Sequence, residues 1–151
     1  MLQCDDLEQG RADVSTYDKP LPELTEENRP FWDSLRERST LSLQRCDACG
    51  HIRYPVGRVC PECLAPGATW TDVSGGGEVL SRIVFHQVYN QAFADDVPYN
   101  VVLVQLDEGP RMFSNVVGIP NDEVQVGLRV RLHCDPVTDE VTIPRFIPEE
   151  P

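Results

Sequence analysis

The sequence predicts a mainly β protein, in which a short N-terminal helix and a small cysteine-rich ribbon precede a five-stranded barrel. Thirteen prolines and ten glycines in 151 residues point to many turns and short elements rather than to long helices. Four cysteines occur as two Cys-x-x-Cys pairs, and five runs with strand character follow a Ser-Gly-Gly-Gly segment. Hydrophobic residues make up 40% of the chain, which is enough for a packed core.

The formal net charge is −12, which disfavours nucleic acids and anionic membrane surfaces as partners. Residues 29–58 are an exception, because six arginines there stand against three acidic residues. No run approaches the roughly 18 apolar residues that a membrane span needs, and the first ten residues lack a basic-then-apolar pattern. We therefore expect a cytoplasmic protein, in which paired cysteines indicate metal or redox chemistry rather than disulfides.

The N-terminal part of the chain is expected to form a flexible arm over residues 1–25 and a helical segment over residues 26–40. The arm is polar and has no periodic apolar pattern. The helix itself is predicted over residues 28–38, because Asn28 is a favourable capping residue and Pro30 suits the first turn.

Three apolar residues of this helix, Phe31, Trp32 and Leu35, fall on one side at helical spacing. Two interpretations remain open. The side chains either cover the protein's own core or anchor the chain on a partner protein, since aromatic pairs are typical of interface anchors.

Residues 41–73 are predicted to form a metal-binding ribbon with two knuckles, Cys46–Cys49 and Cys60–Cys63. Two residues between thiolates allow a tight turn to direct both sulfurs at one ion, and two such turns complete a closed tetrahedral site. A closed site is structural, because catalytic zinc keeps an open position. The pattern therefore predicts one structural zinc ion, with a single iron ion in the same ligands as the alternative.

The remaining cysteines and the histidines do not form a recognisable catalytic set. Cys4 lies in the arm, and Cys134 lies in a predicted strand, where a buried thiol is expected. His51, His86 and His133 fall in three different segments, without a nucleophile paired to a base. We therefore expect no catalytic residues in this chain.

Residues 74–151 are predicted to form the barrel, after a flexible turn at Ser74–Gly77. Five short antiparallel strands without a long helix favour a closed or partly closed barrel. The predicted strands span residues 78–89, 99–107, 112–117, 128–134 and 141–146.

The order of several short motifs resembles the family of zinc-ribbon, OB-fold acyl-CoA-associated proteins, over about residues 26–148. The motifs are Pro30-Phe31-Trp32, Leu43-Gln44-Arg45-Cys46, Arg53-Tyr54-Pro55, Val59-Cys60-Pro61, Trp70, Ser74-Gly75-Gly76-Gly77, Pro98-Tyr99, Leu106-Asp107-Glu108-Gly109 and Pro144-Arg145-Phe146. The resemblance implies that the ribbon is rubredoxin-like and that the barrel is an OB-fold.

The same resemblance implies a non-catalytic accessory subunit in a hetero-oligomer with a thiolase-like enzyme, either a thiolase or a thiolase-type aldolase. Other family members occur beside hydroxymethylglutaryl-CoA synthases. Such a subunit would shape the acyl-CoA entrance of its partner, in the degradation of aromatic compounds or of steroid and fatty-acid side chains. A stand-alone acyl-CoA-binding module is the alternative. A single-stranded nucleic-acid module is disfavoured, because residues 74–151 carry 5 basic and 12 acidic side chains.

Coenzyme A carries several phosphates, so a protein of this charge needs a local cationic surface to hold it. Arg45, Arg53 and Arg58 flank the knuckles and are the candidate CoA-binding residues, since guanidinium groups pair well with phosphate oxygens. The alternative is that they offset the charge of a four-thiolate zinc site or pair with a partner's carboxylates.

Overall fold

A computed structural model describes residues 17–150, so Cys4 and the first sixteen residues of the predicted arm lie outside the described residues. Within this range the chain forms one α-helix, eight strands and a single 3₁₀ turn at Gln91–Phe93. The elements are α1 (Arg29–Arg38), β1 (Ser42–Cys46), β2 (Ile52–Arg53), β3 (Ala68–Asp72), β4 (Gly76–Phe85), β5 (Tyr99–Leu106), β6 (Arg111–Ser114), β7 (Arg129–Pro136) and β8 (Thr142–Pro148).

Helix α1 begins directly after Asn28, with Pro30 in its first turn, as the sequence predicts. The Asn28 side chain does not cap the helix, however. It accepts a hydrogen bond from the Thr25 backbone N–H at 2.8 Å, and it donates to the carbonyl of Glu23 at 2.9 Å. Asn28 therefore ties the preceding segment to the helix start. No helix within residues 17–150 is long and apolar enough to cross a membrane.

The ribbon forms a three-stranded antiparallel sheet in the order β2-β1-β3. In the central strand, Gln44 pairs with Arg53 of β2 on one side and with Trp70 of β3 on the other. These three side chains therefore share one face of the small sheet, because directly paired residues point the same way.

The barrel is a curled five-stranded antiparallel sheet in the order β6-β5-β4-β7-β8. A parallel bridge between Val116 and Phe146 brings the two ends of this order together, and the Val117 N–H donates to the Phe146 carbonyl at 2.8 Å. The sheet is thus a partly closed barrel. The predicted fold class, a helix followed by a ribbon and a five-stranded barrel, is confirmed.

Strand β4 ends at Phe85, earlier than the predicted end at residue 89. Phe85 forms the last pair with β5, opposite Tyr99. Beyond it, the Asn90 side chain accepts a hydrogen bond from the Ala92 backbone N–H and starts the 3₁₀ turn. A local side-chain bond thus competes with strand continuation here.

The glycine segment that the sequence predicts as a flexible turn is packed instead. Gly75, Gly76 and Gly77 are buried, and the last two begin β4. A Cβ atom on Gly77 would lie 2.6 Å from the carbonyl oxygen of Gln105. The prediction of a flexible turn is wrong because Gly77 allows close approach between β4 and β5, although Gly75 does adopt a left-handed φ of +77°.

One hydrophobic core joins the helix, the ribbon and the barrel. Phe31 and Leu35 of α1 and Leu43 of β1 belong to the same buried cluster as residues from the barrel strands. The helix contacts β1 in the ribbon and β7 and β8 in the barrel. Buried barrel members of the cluster include Val79, Val102, Val104, Leu106, Met112, Val130, Leu132 and Phe146.

Replacement of Gly77 by alanine should destabilise the barrel by about 1–3 kcal/mol, the usual cost of an extra group in a packed site. The new methyl group would contact the Gln105 carbonyl and a methyl group of Val104 below 3 Å. Thermal or urea unfolding measures the change. Gly57→Ala is the matched control, since a Cβ there meets no atom closer than 3.8 Å. Equal stability of the two variants would contradict this account of β4 packing.

Candidate metal centre and aromatic cleft

The two knuckles have the same backbone construction. In the first, the Gly50 N–H donates to the Cys46 carbonyl at 2.9 Å, and Gly50 has φ +77°. In the second, the Leu64 N–H donates to the Cys60 carbonyl at 3.0 Å, and Leu64 has φ 61°. Each turn thus closes four residues after its first cysteine with a left-handed residue, a position that favours glycine. The turns direct all four thiols into the space between them.

The four cysteine sulfurs lie within 4.8 Å of one another. The Sγ atoms of Cys46 and Cys63 are 3.6 Å apart, and so are those of Cys49 and Cys60. A tetrahedral ion with metal–sulfur bonds of about 2.3 Å sets its ligands roughly 3.8 Å apart. The thiols therefore form a metal site, and the spacing fits a four-coordinate ion.

Backbone N–H groups prepare two of these thiols for metal binding. The N–H of Cys49 lowers the pKa of Cys46 to about 6, and the N–H of Cys63 lowers the pKa of Cys60. The His51 N–H favours the Cys49 thiolate, but the neighbouring thiols and burial outweigh it and raise the pKa of Cys49 to about 12. Four adjacent thiols cannot all ionise without a cation, so metal binding replaces protons and weakens as the pH falls.

Of the three arginines predicted to bind CoA, Arg53 and Arg58 line one cleft, and Arg45 does not line it. Arg45 is exposed and its guanidinium lies near Gly50. Arg53 is buried, with 6% of its surface exposed. The side chain of Arg58 is 84% exposed and pairs with Glu27, whose Oε1 accepts from Arg58 Nε at 2.7 Å. Contact between these residues and CoA stays a prediction.

The helix residues predicted to contact a partner lie at different depths. Phe31 and Leu35 are 6% and 1% exposed and belong to the core, which is the first of the two roles considered for them. Trp32 is half-buried and packs edge-on against Phe31, with ring centroids 5.0 Å apart. Of the three, Trp32 therefore offers the most surface to a partner.

A cleft with a volume of about 130 Å³, partly open to solvent, lies between the helix and the ribbon sheet. We call it the aromatic cleft. Its apolar lining comes from Phe31, Trp32, Leu43, Tyr54, Val56 and Trp70. Sequence reasoning did not assign Tyr54 or Trp70 to a site. The available signal was their position after the first and second knuckle, but only the packing of the helix on the ribbon shows that they line one cleft.

The polar part of the aromatic cleft is a fixed network around Arg53. Arg53 Nε donates to Gln44 Oε1 at 2.9 Å, and Arg53 Nη2 donates to the Gly57 carbonyl at 2.8 Å. The Gly57 N–H also donates to Gln44 Oε1, at 2.9 Å. A second, more open cleft adjoins this network and is lined by Glu26, Glu27, Arg53, Arg58 and Trp70, among others. We call it the outer cleft.

Two family models match the chain in succession. Residues 32–67 match the rubredoxin-like zinc ribbon domain of ChsH2, and residues 70–135 match the C-terminal OB-fold domain of ChsH2. The chain belongs to the ChsH2/DUF35 family. The family predicted from the motif order is therefore confirmed.

Individual relatives of the chain differ in length and in described role. A probable enoyl-CoA hydratase alpha subunit of Thermomonospora curvata is 37% identical over 133 residues, which cover 88% of this chain but only 41% of that protein. A DUF35 domain-containing scaffold protein of Methanothermobacter thermautotrophicus is 31% identical over 110 residues, or 72% of this chain and 82% of that protein. The chain thus spans less than half of the hydratase subunit.

A solved DUF35 structure, described as the Ltp2-ChsH2(DUF35) aldolase, matches with a TM-score of 0.73 and 37% identity. The match covers 85% of this chain and 98% of the other chain.

Replacement of one metal-site cysteine should abolish metal binding without unfolding the barrel. We expect the unaltered protein to retain about one metal ion per chain and Cys63→Ser to retain far less, because three thiolates no longer close the tetrahedron. Elemental analysis and limited proteolysis of the ribbon measure the loss. Cys134→Ser is the matched control, since Cys134 lies half-buried in β7. A Cys63→Ser protein with full metal content and a folded ribbon would refute the assignment.

Proposed function

We propose that this chain is a non-catalytic accessory subunit that binds a thiolase-like catalytic subunit and helps to hold its acyl-CoA substrate. The observation that carries the proposal is the solved aldolase that consists of Ltp2 and ChsH2(DUF35), because this chain aligns with 98% of the DUF35 chain there. The scaffold description of the Methanothermobacter relative also supports a role in assembly.

The bound metal is, in this proposal, a structural zinc ion held by Cys46, Cys49, Cys60 and Cys63. The four thiols leave no open ligand position, and two of them, Cys46 and Cys60, are buried. A closed four-sulfur site suits zinc, which has no redox chemistry and no preference for another geometry. Elemental analysis of the purified protein separates zinc from iron, the alternative in these ligands.

The substrate of the complex is proposed to be an acyl-CoA ester. The resemblance to acyl-CoA-associated proteins supports this substrate class. The description of the Thermomonospora relative as a probable enoyl-CoA hydratase alpha subunit supports it as well. Degradation of steroid or fatty-acid side chains, or of aromatic compounds, is the corresponding setting. The chain itself would supply surface and rigidity, while the partner's own residues perform the chemistry.

Mixing the purified chain with its thiolase-like partner should give a stable complex on size-exclusion chromatography. Acyl-CoA turnover should require the catalytic subunit and should rise when the chain is added, because the chain completes the substrate entrance. The chain by itself should produce no thiolysis or retro-aldol cleavage. Turnover by the isolated chain, or a partner that neither binds it nor responds to it, would refute the proposal.

Arg58→Gln should raise the KM of the complex for acyl-CoA if this exposed cation contacts a CoA phosphate. A rise of about threefold or more is expected, since a net hydrogen bond is worth roughly 0.5–1.5 kcal/mol. The rise should vanish with a substrate truncated to its pantetheine arm, which lacks the 3′-phosphate and the pyrophosphate. Equal KM changes for both substrates would assign Arg58 to its ion pair with Glu27 instead.

A further inference from the structure

The aromatic cleft has the composition of an interface site. Trp32, Tyr54 and Trp70 are half-buried along it, and Arg53 contributes a buried cation. Tryptophan, tyrosine and arginine are the residues that most often dominate the binding energy of protein interfaces. Its volume of about 130 Å³ is below the roughly 300–1,000 Å³ of small-molecule sites, so the cleft suits one side chain rather than a whole ligand. The cleft therefore suits an apolar occupant.

Arg53 gives a second and independent indication of an occupant. Arg53 is more than nine-tenths buried. Its Nε and Nη2 atoms already donate hydrogen bonds to Gln44 and Gly57. Its Nη1 atom is also buried, but it makes no hydrogen bond to any group within residues 17–150. A buried donor on a charged group is costly when unpaired. An acceptor supplied from outside the chain would remove that cost.

The charges beside the cleft favour a neutral acceptor over a phosphate. Glu26 and Glu27 line the outer cleft together with Arg53, and Arg58 is already paired with Glu27. A phosphate group next to the buried Nη1 would also lose its hydration, unlike a phosphate at the exposed Arg58. A main-chain carbonyl brings a good acceptor without any net charge, and it comes attached to side chains that fill apolar space.

We propose that the catalytic subunit docks in the aromatic cleft through one apolar side chain of a short segment, whose adjoining main-chain carbonyl accepts a hydrogen bond from Arg53 Nη1. This inference rests on the proposed function, because it names the surface through which the accessory subunit holds its partner. Because Nη1 is buried, docking requires the half-buried rim residues Trp32, Tyr54 and Trp70 to turn and open it to the carbonyl. During this movement, the hydrogen bonds of Nε to Gln44 and of Nη2 to Gly57 hold the guanidinium group in place.

The chain contains only two tryptophans, and both line the aromatic cleft. Incorporation of 5-fluorotryptophan therefore places two ¹⁹F NMR probes at this cleft, of which Trp70 also borders the outer cleft and Trp32 does not. Titration with the unlabelled thiolase-like subunit should shift both resonances at the same subunit concentrations. Acyl-CoA added without the subunit should leave both resonances in place.

Two variants test the cleft itself by calorimetric titration with the catalytic subunit. Arg53→Gln removes the Nη1 donor, and Val56→Lys places a charged chain in the cleft without touching the Arg53 bonds. Each should weaken binding about tenfold or more, the effect of losing one central contact. Arg111→Gln and Val126→Lys are the matched controls and should bind within twofold of wild type, since both residues are exposed in the barrel region. Metal content and thermal unfolding show that each variant is folded.

The outcomes separate this inference from the proposed function. A wild-type chain that binds no catalytic subunit would overturn the proposed function and the docking site together. A wild-type complex in which the ¹⁹F resonances stay unmoved, or in which folded Val56→Lys binds as wild type does, would overturn the docking site alone. Resonance shifts with acyl-CoA in the absence of the subunit would make the cleft a small-molecule site and would likewise overturn it.

Discussion

Convergence of four cysteine sulfurs is the constraint on which the ribbon depends. The ribbon sheet has strands of two and five residues, too few to form an independent core. The sulfurs of its two knuckles nevertheless lie within 4.8 Å of one another, and two backbone N–H groups favour thiolates there. A single cation is what makes such a cluster stable, because it links both knuckles and neutralises their charge. The orientation of every neighbouring ribbon residue follows from that link.

The hydrophobic core then determines where the ribbon lies relative to the rest of the chain. Leu41 and Leu43 pack in the same cluster as Phe31 and Leu35 of the helix and the inner side chains of the barrel. The Ser74 N–H donates to Glu108 in the β5–β6 turn, so the segment between ribbon and barrel is held as well. The helix, the ribbon and the barrel thus form one packed body, and the aromatic cleft is a product of their packing rather than of any single element.

The hydrogen-bond network around Arg53 lies in the aromatic cleft, and it gives the protein a surface suited to binding another subunit. Arg53 is held by Gln44 and Gly57 on the metal-linked sheet, and aromatic side chains from the helix and from β3 surround it. A preorganised cation among half-buried aromatics lowers the entropic cost of docking. The ChsH2/DUF35 family includes proteins described as scaffolds and one that forms an aldolase with Ltp2. A cleft beside a four-cysteine metal site agrees with such a role.

The sequence by itself determined the local features. Cysteine spacing predicted the ribbon, alternation predicted the five strands, and Pro30 predicted the first helical turn, because such features depend on neighbouring residues. The expected cap by Asn28 does not form, since its side chain bonds to Thr25 and Glu23 instead. The sequence did not determine the packed state of Gly77, which depends on the distant Gln105 carbonyl. Nor could it separate core from cleft among the aromatic residues of the helix.

Only the tertiary structure decided which residues share the cleft. Arg53 and Trp70 are seventeen positions apart, and they meet because both pair with Gln44. Their meeting is a consequence of strand register, and register is set by the knuckles and by the shared core rather than by residues adjacent in the chain. A sequence pattern reports which side chains can take part in a site, whereas long-range packing decides which of them come together.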